Sequence, residues 1–215
     1  MYIPPQFKED RIPALDAAMR QAGLATLVTF GVDGPEASHV PMLLDSEPAP
    51  FGTLHGHISK ANVQWRQSRP DVQALAIFTG PDAYISPAWY ETKRQTGKVV
   101  PTWNYVAIHA SGPVRFFHDP ERLRDQVTRL TEENEDGRPA PWAVSDAPAD
   151  FINGLLKGIV GFDLTIVRLE GKWKMGQNRP EGDRIGAIDG LTREGGAPEL
   201  AVAKILAGEA GPWRG

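Results

Sequence analysis

The 215-residue chain is 41% hydrophobic and 23% charged, has no cysteine, and carries a formal net charge of −4 from 23 Lys+Arg against 27 Asp+Glu. This is the balance of a globular protein able to build a core. It excludes disulfides, thiolate metal sites and Cys nucleophiles, and the dispersed Lys and Arg weigh against a basic face that neutralises nucleic-acid phosphates. No run approaches the roughly 20 apolar residues of a membrane span. The opening Met1-Tyr2-Ile3-Pro4-Pro5 has neither the basic start nor the apolar run of a secretory signal. A cytoplasmic location and no membrane partner are therefore expected.

Asp10 to Ala22 reads as a helix, with Ile12, Leu15 and Met19 at helical spacing and Gly23 as a stop. Leu24 to Phe30 reads as a strand. The Val32-Asp33-Gly34-Pro35 turn leads into a second, at about Ala37 to Leu44, which makes an antiparallel hairpin. Phe51 to Ile58 is a third strand, followed by helix-forming residues from Ala61 to Ser68. Val72 to Thr79 is a buried strand that Ala83 to Ser86 extends, before Pro87 starts a helical turn through Trp89 and Tyr90. Gln95 to Lys98 is polar and expected as a loop. From Trp103 the chain alternates, with Val106, Ile108 and Ala110 on one face, and resumes at Val114 to Phe117.

Asp119 as N-cap, Pro120 and Glu121 announce a helix whose stripe is Leu123, Val127 and Leu130. A proline-rich loop covers 134 to 149, and Ala149 to Lys157 is a short helix. Val160, Phe162, Leu164 and Ile166 alternate in a last long strand ending at a Glu170-Gly171-Lys172 turn, and the tail after Asn178 is helical in character. The sum is six or seven antiparallel strands with short helices, a small barrel closed to remove its edges. Residues 1–192 are expected to form one domain and 193–215 a helical tail.

Three segments carry chemical potential. Leu54 to Asn62 runs from strand to helix start. His55 and His57 share a strand face about 7 Å apart, and Gly56 permits close approach of a planar ligand. Ser59, Lys60 and Asn62 fall where free backbone N–H groups, a hydroxyl and an ammonium make a phosphate cradle. The plain alternative is an N-cap and a solvated lysine. Two histidines without a third ligand at telling spacing do not make a metal site. The second segment places Tyr84, Trp89, Tyr90, Trp103 and Tyr105 close together, which suits a flat heteroaromatic ligand, a dimer interface or a core equally. The third, Lys172 to Arg179, gathers the amides of Gln177 and Asn178 with the Arg179 guanidinium, able to take a phosphate or to remain a strand-end turn. There is no Gly-x-Gly-x-x-Gly, Walker motif or Gly-x-Ser-x-Gly elbow, and no recognition helix is evident.

HGHISKAN, GPDAYISPAWY, VPTWNY, IVGFDLTIVRLEGKWKMGQNR and the opening MYIPPQF together resemble the PaiB-type FMN-binding negative transcriptional regulator family, from Met1 to about Leu191. The resemblance implies a split β-barrel of the pyridoxamine-phosphate-oxidase-like superfamily, a homodimer, and FMN at the subunit interface. It implies that His55, Gly56, Ser59, Lys60 and Asn62 cradle the phosphate and that His39, Val40, Pro41 and Met42 lie along the flavin ring. Gln177 and Arg179 would reach its polar edge. Where superfamily oxidases place an arginine on the hairpin strand, this chain reads Ser38-His39-Val40. Losing that ion pair costs about 1–3 kcal/mol, so weaker FMN binding is expected.

A flavin-binding regulator is the leading expectation, with any DNA binding achieved without a recognisable reading motif. An FMN-dependent oxidoreductase is second; no catalytic residue is assigned for it, His39 and His57 being the acid–base candidates. A haem protein using His55 or His57 is third.

Overall fold

The computed structural model describes residues 1–209. Its strands are β1 (Lys8–Glu9), β2 (Leu24–Gly31), β3 (Gly34–Pro41), β4 (Leu43–Asp45), β5 (Thr53–Ser59), β6 (Ala74–Ile85), β7 (Thr102–Gly112), β8 (Val114–Phe117), β9 (Ile159–Thr165) and β10 (Arg168–Lys174). Its helices are α1 (Ile12–Gln21), α2 (Gln64–Gln67), α3 (Glu91–Thr96), α4 (Pro120–Glu135), α5 (Ala149–Leu156), α6 (Glu181–Glu194) and α7 (Ala197–Leu206).

Ten strands among the described residues replace the expected six or seven, because β1 and β4 are too short to show alternation and the last run divides. Its break falls at Ile166-Val167, where the Val167 N–H bonds the Ser111 carbonyl. Glu170-Gly171-Lys172 is not a turn but the middle of β10. Gly171 is there for contact: a Cβ would stand 2.3 Å from the Leu15 side chain and 2.8 Å from the Glu9 carbonyl oxygen. Gln95 and Thr96, expected in a loop, close α3 instead. The helix expected over Ala61 to Ser68 shrinks to the four residues of α2.

The chain forms two compact units, each assembled from separated segments. The first comprises Met1–Ala22, Phe78–His109 and the chain from Glu170. Its strands follow the order β1-β10-β7-β6, with Lys8 opposite Lys172 in the antiparallel β1–β10 pair. Helix α1 buries Leu15, Ala18 and Met19, close to the stripe read from sequence. Trp173, Ile85, Val106, Ile108 and Leu191 are buried with them, each large side chain contributing about 1.5–3 kcal/mol. The tail expected from residue 193 consists of the end of α6 and all of α7; its last residues, 210–215, lie outside the described residues.

The second unit comprises Gly23–Ile77 and Ala110–Leu169. The β2–β3 hairpin pairs from Leu24↔Pro41 to Gly31↔Gly34, and β6 joins β2 through Thr26↔Ile77. A four-stranded antiparallel sheet, β4-β5-β9-β8, carries the site. Because side chains alternate along a strand, β5 buries Leu54, Gly56 and Ile58 on one face and carries His55, His57 and Ser59 on the other. Helix α4 packs near β5 and α5 packs on α4. Its start is the one the sequence announces: the Asp119 carboxylate accepts the Arg122 N–H at 2.9 Å, with Pro120 first in the helix.

Candidate functional site

His55, His57 and Ser59 project from one face of β5 but meet three different surroundings. His55 is clamped: Nδ1 lies 2.7 Å from Asp163 and Nε2 lies 3.1 Å from Asp45. Arg122 bonds the second Asp163 oxygen at 2.6 Å, and Arg129 pairs with Asp45. The Arg129 hydrogen bond outweighs burial and holds the Asp45 carboxyl below its ordinary range. Burial alone would raise Asp163, but hydrogen bonds from His55 and Arg122 prevail and lower it. The five groups line or flank a cavity of about 350 Å³. Both His55 nitrogens are engaged by carboxylates, so this residue has neither a free lone pair for a haem iron nor a free N–H for a phosphate. Among the described residues no group of three His, Cys, Asp or Glu is placed to hold a metal.

The phosphate cradle differs from the expectation in its donors. The Lys60 N–H bonds the Gly158 carbonyl at 2.8 Å, the Ala61 N–H bonds Ser59 Oγ at 3.2 Å, and the Asn62 N–H bonds the Ser59 carbonyl at 3.0 Å. These backbone donors are spent on the turn. Asn62 is spent too: its amide donates to Ser38 Oγ at 2.8 Å and accepts from the Gln64 N–H at 2.9 Å, tying the turn to β3. What remains is side-chain chemistry. Ser59 Oγ, an acceptor in its own turn, keeps its proton to donate. Lys60 lines a cavity of about 410 Å³ together with Lys157, which follows α5. Neither ammonium has an ion-pair partner among the described residues, and no carboxylate lines that cavity. Two unpaired ammonium groups on residues lining one cavity are able to take an anion. Sequence reasoning missed Lys157, since nearly a hundred positions separate it from Lys60 and no local motif marks it.

Gly56 serves packing and not ligand approach: a Cβ there would sit 2.4 Å from the Phe162 ring. The hairpin strand divides likewise. Val40 and Met42 are buried in the chain's own core, whereas His39 is exposed and Pro41 half-buried on the other side. His39 Nδ1 lies 3.0 Å from the Thr26 hydroxyl across the hairpin. Of the four, only His39 and Pro41 lie away from that core.

Gln177 and Arg179 belong to the first unit. The Gln177 amide closes its own strand end, accepting the Met175 N–H at 2.9 Å and donating to the Trp173 carbonyl at 2.6 Å, which leaves one N–H and one lone pair of the amide. Arg179 lies over the Tyr90 ring at 4.7 Å. The aromatic segment resolves into two groups. Tyr90 is buried, whereas Tyr84 and Trp103 meet edge to face at 6.0 Å and are about half exposed.

This architecture, mainly antiparallel sheets with peripheral helices, is the split-barrel fold class. A solved structure described as the FAD and haem binding protein from Mycobacterium smegmatis shares it, with a TM-score of 0.57 at 16% identity, over 78% of this chain and 73% of that one. The family described as "Putative FMN-binding domain" matches residues 1–168, and the chain belongs to that family. An uncharacterized protein of Aspergillus fumigatus is 35% identical over 96% of both chains. The protease synthase and sporulation protein PAI 2 of Bacillus subtilis is 30% identical over 96% of both, in agreement with the PaiB-type resemblance. No helix among the described residues is long and apolar enough to cross a membrane.

Proposed function

We propose that this chain is a homodimeric, FMN-binding regulatory protein of PaiB type in which Ser59, Lys60 and Lys157 hold the flavin phosphate. The observation that carries the assignment is the pair of lysines, unpaired and facing a cavity without carboxylates. A phosphate dianion satisfies both ammonium groups and accepts the Ser59 proton. His39 and Pro41 would flank the ring. Bound FMN would supply redox chemistry or a redox-sensitive signal, the protein supplying orientation.

The dimer reading draws on the outward face of β2, β3 and β6 within the second unit. Leu24, Val28, Phe30, Pro35, Ala37, Leu75 and Ile77 alternate onto it, and Leu24 and Phe30 stay 58% and 39% exposed. Apart from the Thr26–His39 pair the face is apolar; exposed apolar surface marks association sites, and a second copy is the self-complementary way to cover it.

FMN titrated into the purified chain should show saturable quenching of flavin fluorescence, with sedimentation giving twice the chain mass. Absence of quenching would remove the flavin assignment, and a monomer at all concentrations would remove the dimer. Retention on promoter DNA that weakens with salt and exceeds retention on random DNA would support direct regulation.

A further inference from the structure

His57 stands between the two cavities already described, and its surroundings are neither ionic nor cationic. Helices α4 and α5 and the segment carrying Trp142 and Val144 leave a third cavity of about 460 Å³ within the second unit, with His57 in its wall. The other walls are mostly aliphatic or aromatic: Val127 from α4, Trp142 and Val144, and Ile152 and Leu155 from α5; Thr131 also lines it, its hydroxyl already donating to the Val127 carbonyl at 2.7 Å. No charged side chain lines it. Its volume falls in the range of small-molecule sites, which combine apolar walls with a few polar groups.

Two observations separate this cavity from ordinary packing. His57 Nδ1 is shut off from solvent and has no hydrogen-bond partner, a state that native interiors avoid because the bond lost to water is not replaced. At the mouth, Leu155 and Trp142 remain 55% and 45% exposed, although Ile152 and Leu156 beside them join the buried cluster of α4 and α5. Burial also pushes the imidazole below its ordinary range. At neutral pH it therefore offers one N–H and one lone pair, and no charge.

We propose that this pocket is a second ligand site, which takes a small uncharged aromatic molecule bearing one hydrogen-bonding group directed at His57. A charged ligand would find no counter-ion in these walls, and a molecule with several polar groups would leave them unsatisfied. A flat ring suits walls made of Trp142 and branched aliphatic side chains. Leu156 and Ile159 line both this pocket and the cavity of Lys60 and Lys157, so the two share a wall and occupancy of one can be felt at the other. The assignment does not depend on flavin binding.

4-Fluorophenol, neutral at pH 7 and carrying one hydroxyl, is a suitable probe, followed by ¹⁹F NMR on the full chain. Saturable binding is expected, with Kd roughly 0.1–5 mM for so small a ligand. Fluorobenzene, which lacks the hydroxyl, should bind about fivefold more weakly, the worth of one hydrogen bond. His57→Leu should erase that difference, and Trp142→Ala should weaken both probes. If His57→Leu fails to fold, the ¹⁵N shifts of the His57 ring in the unaltered protein should move on adding 4-fluorophenol and not on adding fluorobenzene. Equal binding of the two probes, unmoved ring shifts, or no saturation would overturn the proposal. Competitive displacement by FMN would overturn it as well, by making this pocket part of the flavin site. Probe binding that survives Lys60→Ala supports it whether or not FMN binds elsewhere.

Discussion

The two ends of β5 treat charge in opposite ways. At His55 each charged group has a partner of opposite sign: Arg129 meets Asp45, Arg122 meets Asp163, and the imidazole lies between the carboxylates. At Ser59 two ammonium groups face a cavity with no carboxylate. The paired network holds α4 to the sheet. The two unpaired cations are exposed and contribute little to folding, which leaves them free for the binding role proposed for them. Both ends contain histidines or lysines that would look equally functional in a motif, and pairing, not residue type, separates them.

The largest expected effect tests the unpaired end. Replacing Lys60 and Lys157 together by Gln should weaken FMN binding about 100-fold or more, two charge-assisted contacts being lost, with stability within about 0.5 kcal/mol of the parent because exposed charges contribute little to folding. Calorimetric titration and thermal melts read the two quantities separately. Gly56→Ala probes the buried side of the same strand. The new methyl collides with Phe162 and should cost about 1–3 kcal/mol of stability by overpacking, seen as a lower urea midpoint. FMN affinity of the protein that remains folded should not change.

Asp163→Asn breaks the paired end, weakening the partner of both His55 and Arg122. The site is partly solvated, so the loss should be about 1–2 kcal/mol, or roughly 2–8 °C in Tm, again without effect on FMN. The smallest effect is one of pH. His57 has a folded pKa pushed below its ordinary 6.5 by burial, so the unfolded chain takes up the proton first and stability falls as pH drops below about 6.5. Asp45 and Asp163 are held below 3.8, and their contribution is lost only as pH falls through and beneath that value. In urea titrations, His57→Gln should flatten the upper window and Asp163→Asn the lower one.

Much of this was legible in the sequence, for identifiable reasons. Asp119-Pro120-Glu121 announced α4 because an N-cap and a proline at the first position are local chemistry. The hairpin of β2 and β3 was legible because a turn residue pair and alternation specify it. Lys60 and Ser59 stood out as candidates from their strand-to-turn setting. Lys157 was not, because it reaches the same cavity from a separate helix end. Gly56 was read correctly as a close approach but assigned the wrong neighbour, since alternation gives the face of a strand and not what packs on it. Glu170-Gly171-Lys172 looked like a turn because Gly is its usual mark, yet Gly171 is required by the crowding of Leu15 and Glu9. Pairing was invisible throughout: Asp45, His55, Arg122, Arg129 and Asp163 meet only after folding.

The central claim is that a phosphate, gripped by Lys60 and Lys157, anchors the flavin. Comparing FMN with riboflavin, which has the same ring and no phosphate, isolates it in one titration series. The unaltered chain should prefer FMN by tenfold or more, on the scale of a charge-assisted hydrogen bond, and the Lys60→Gln, Lys157→Gln double variant should bind the two alike. Equal affinity for FMN and riboflavin in the unaltered chain, or an undiminished preference in the double variant, would contradict the account.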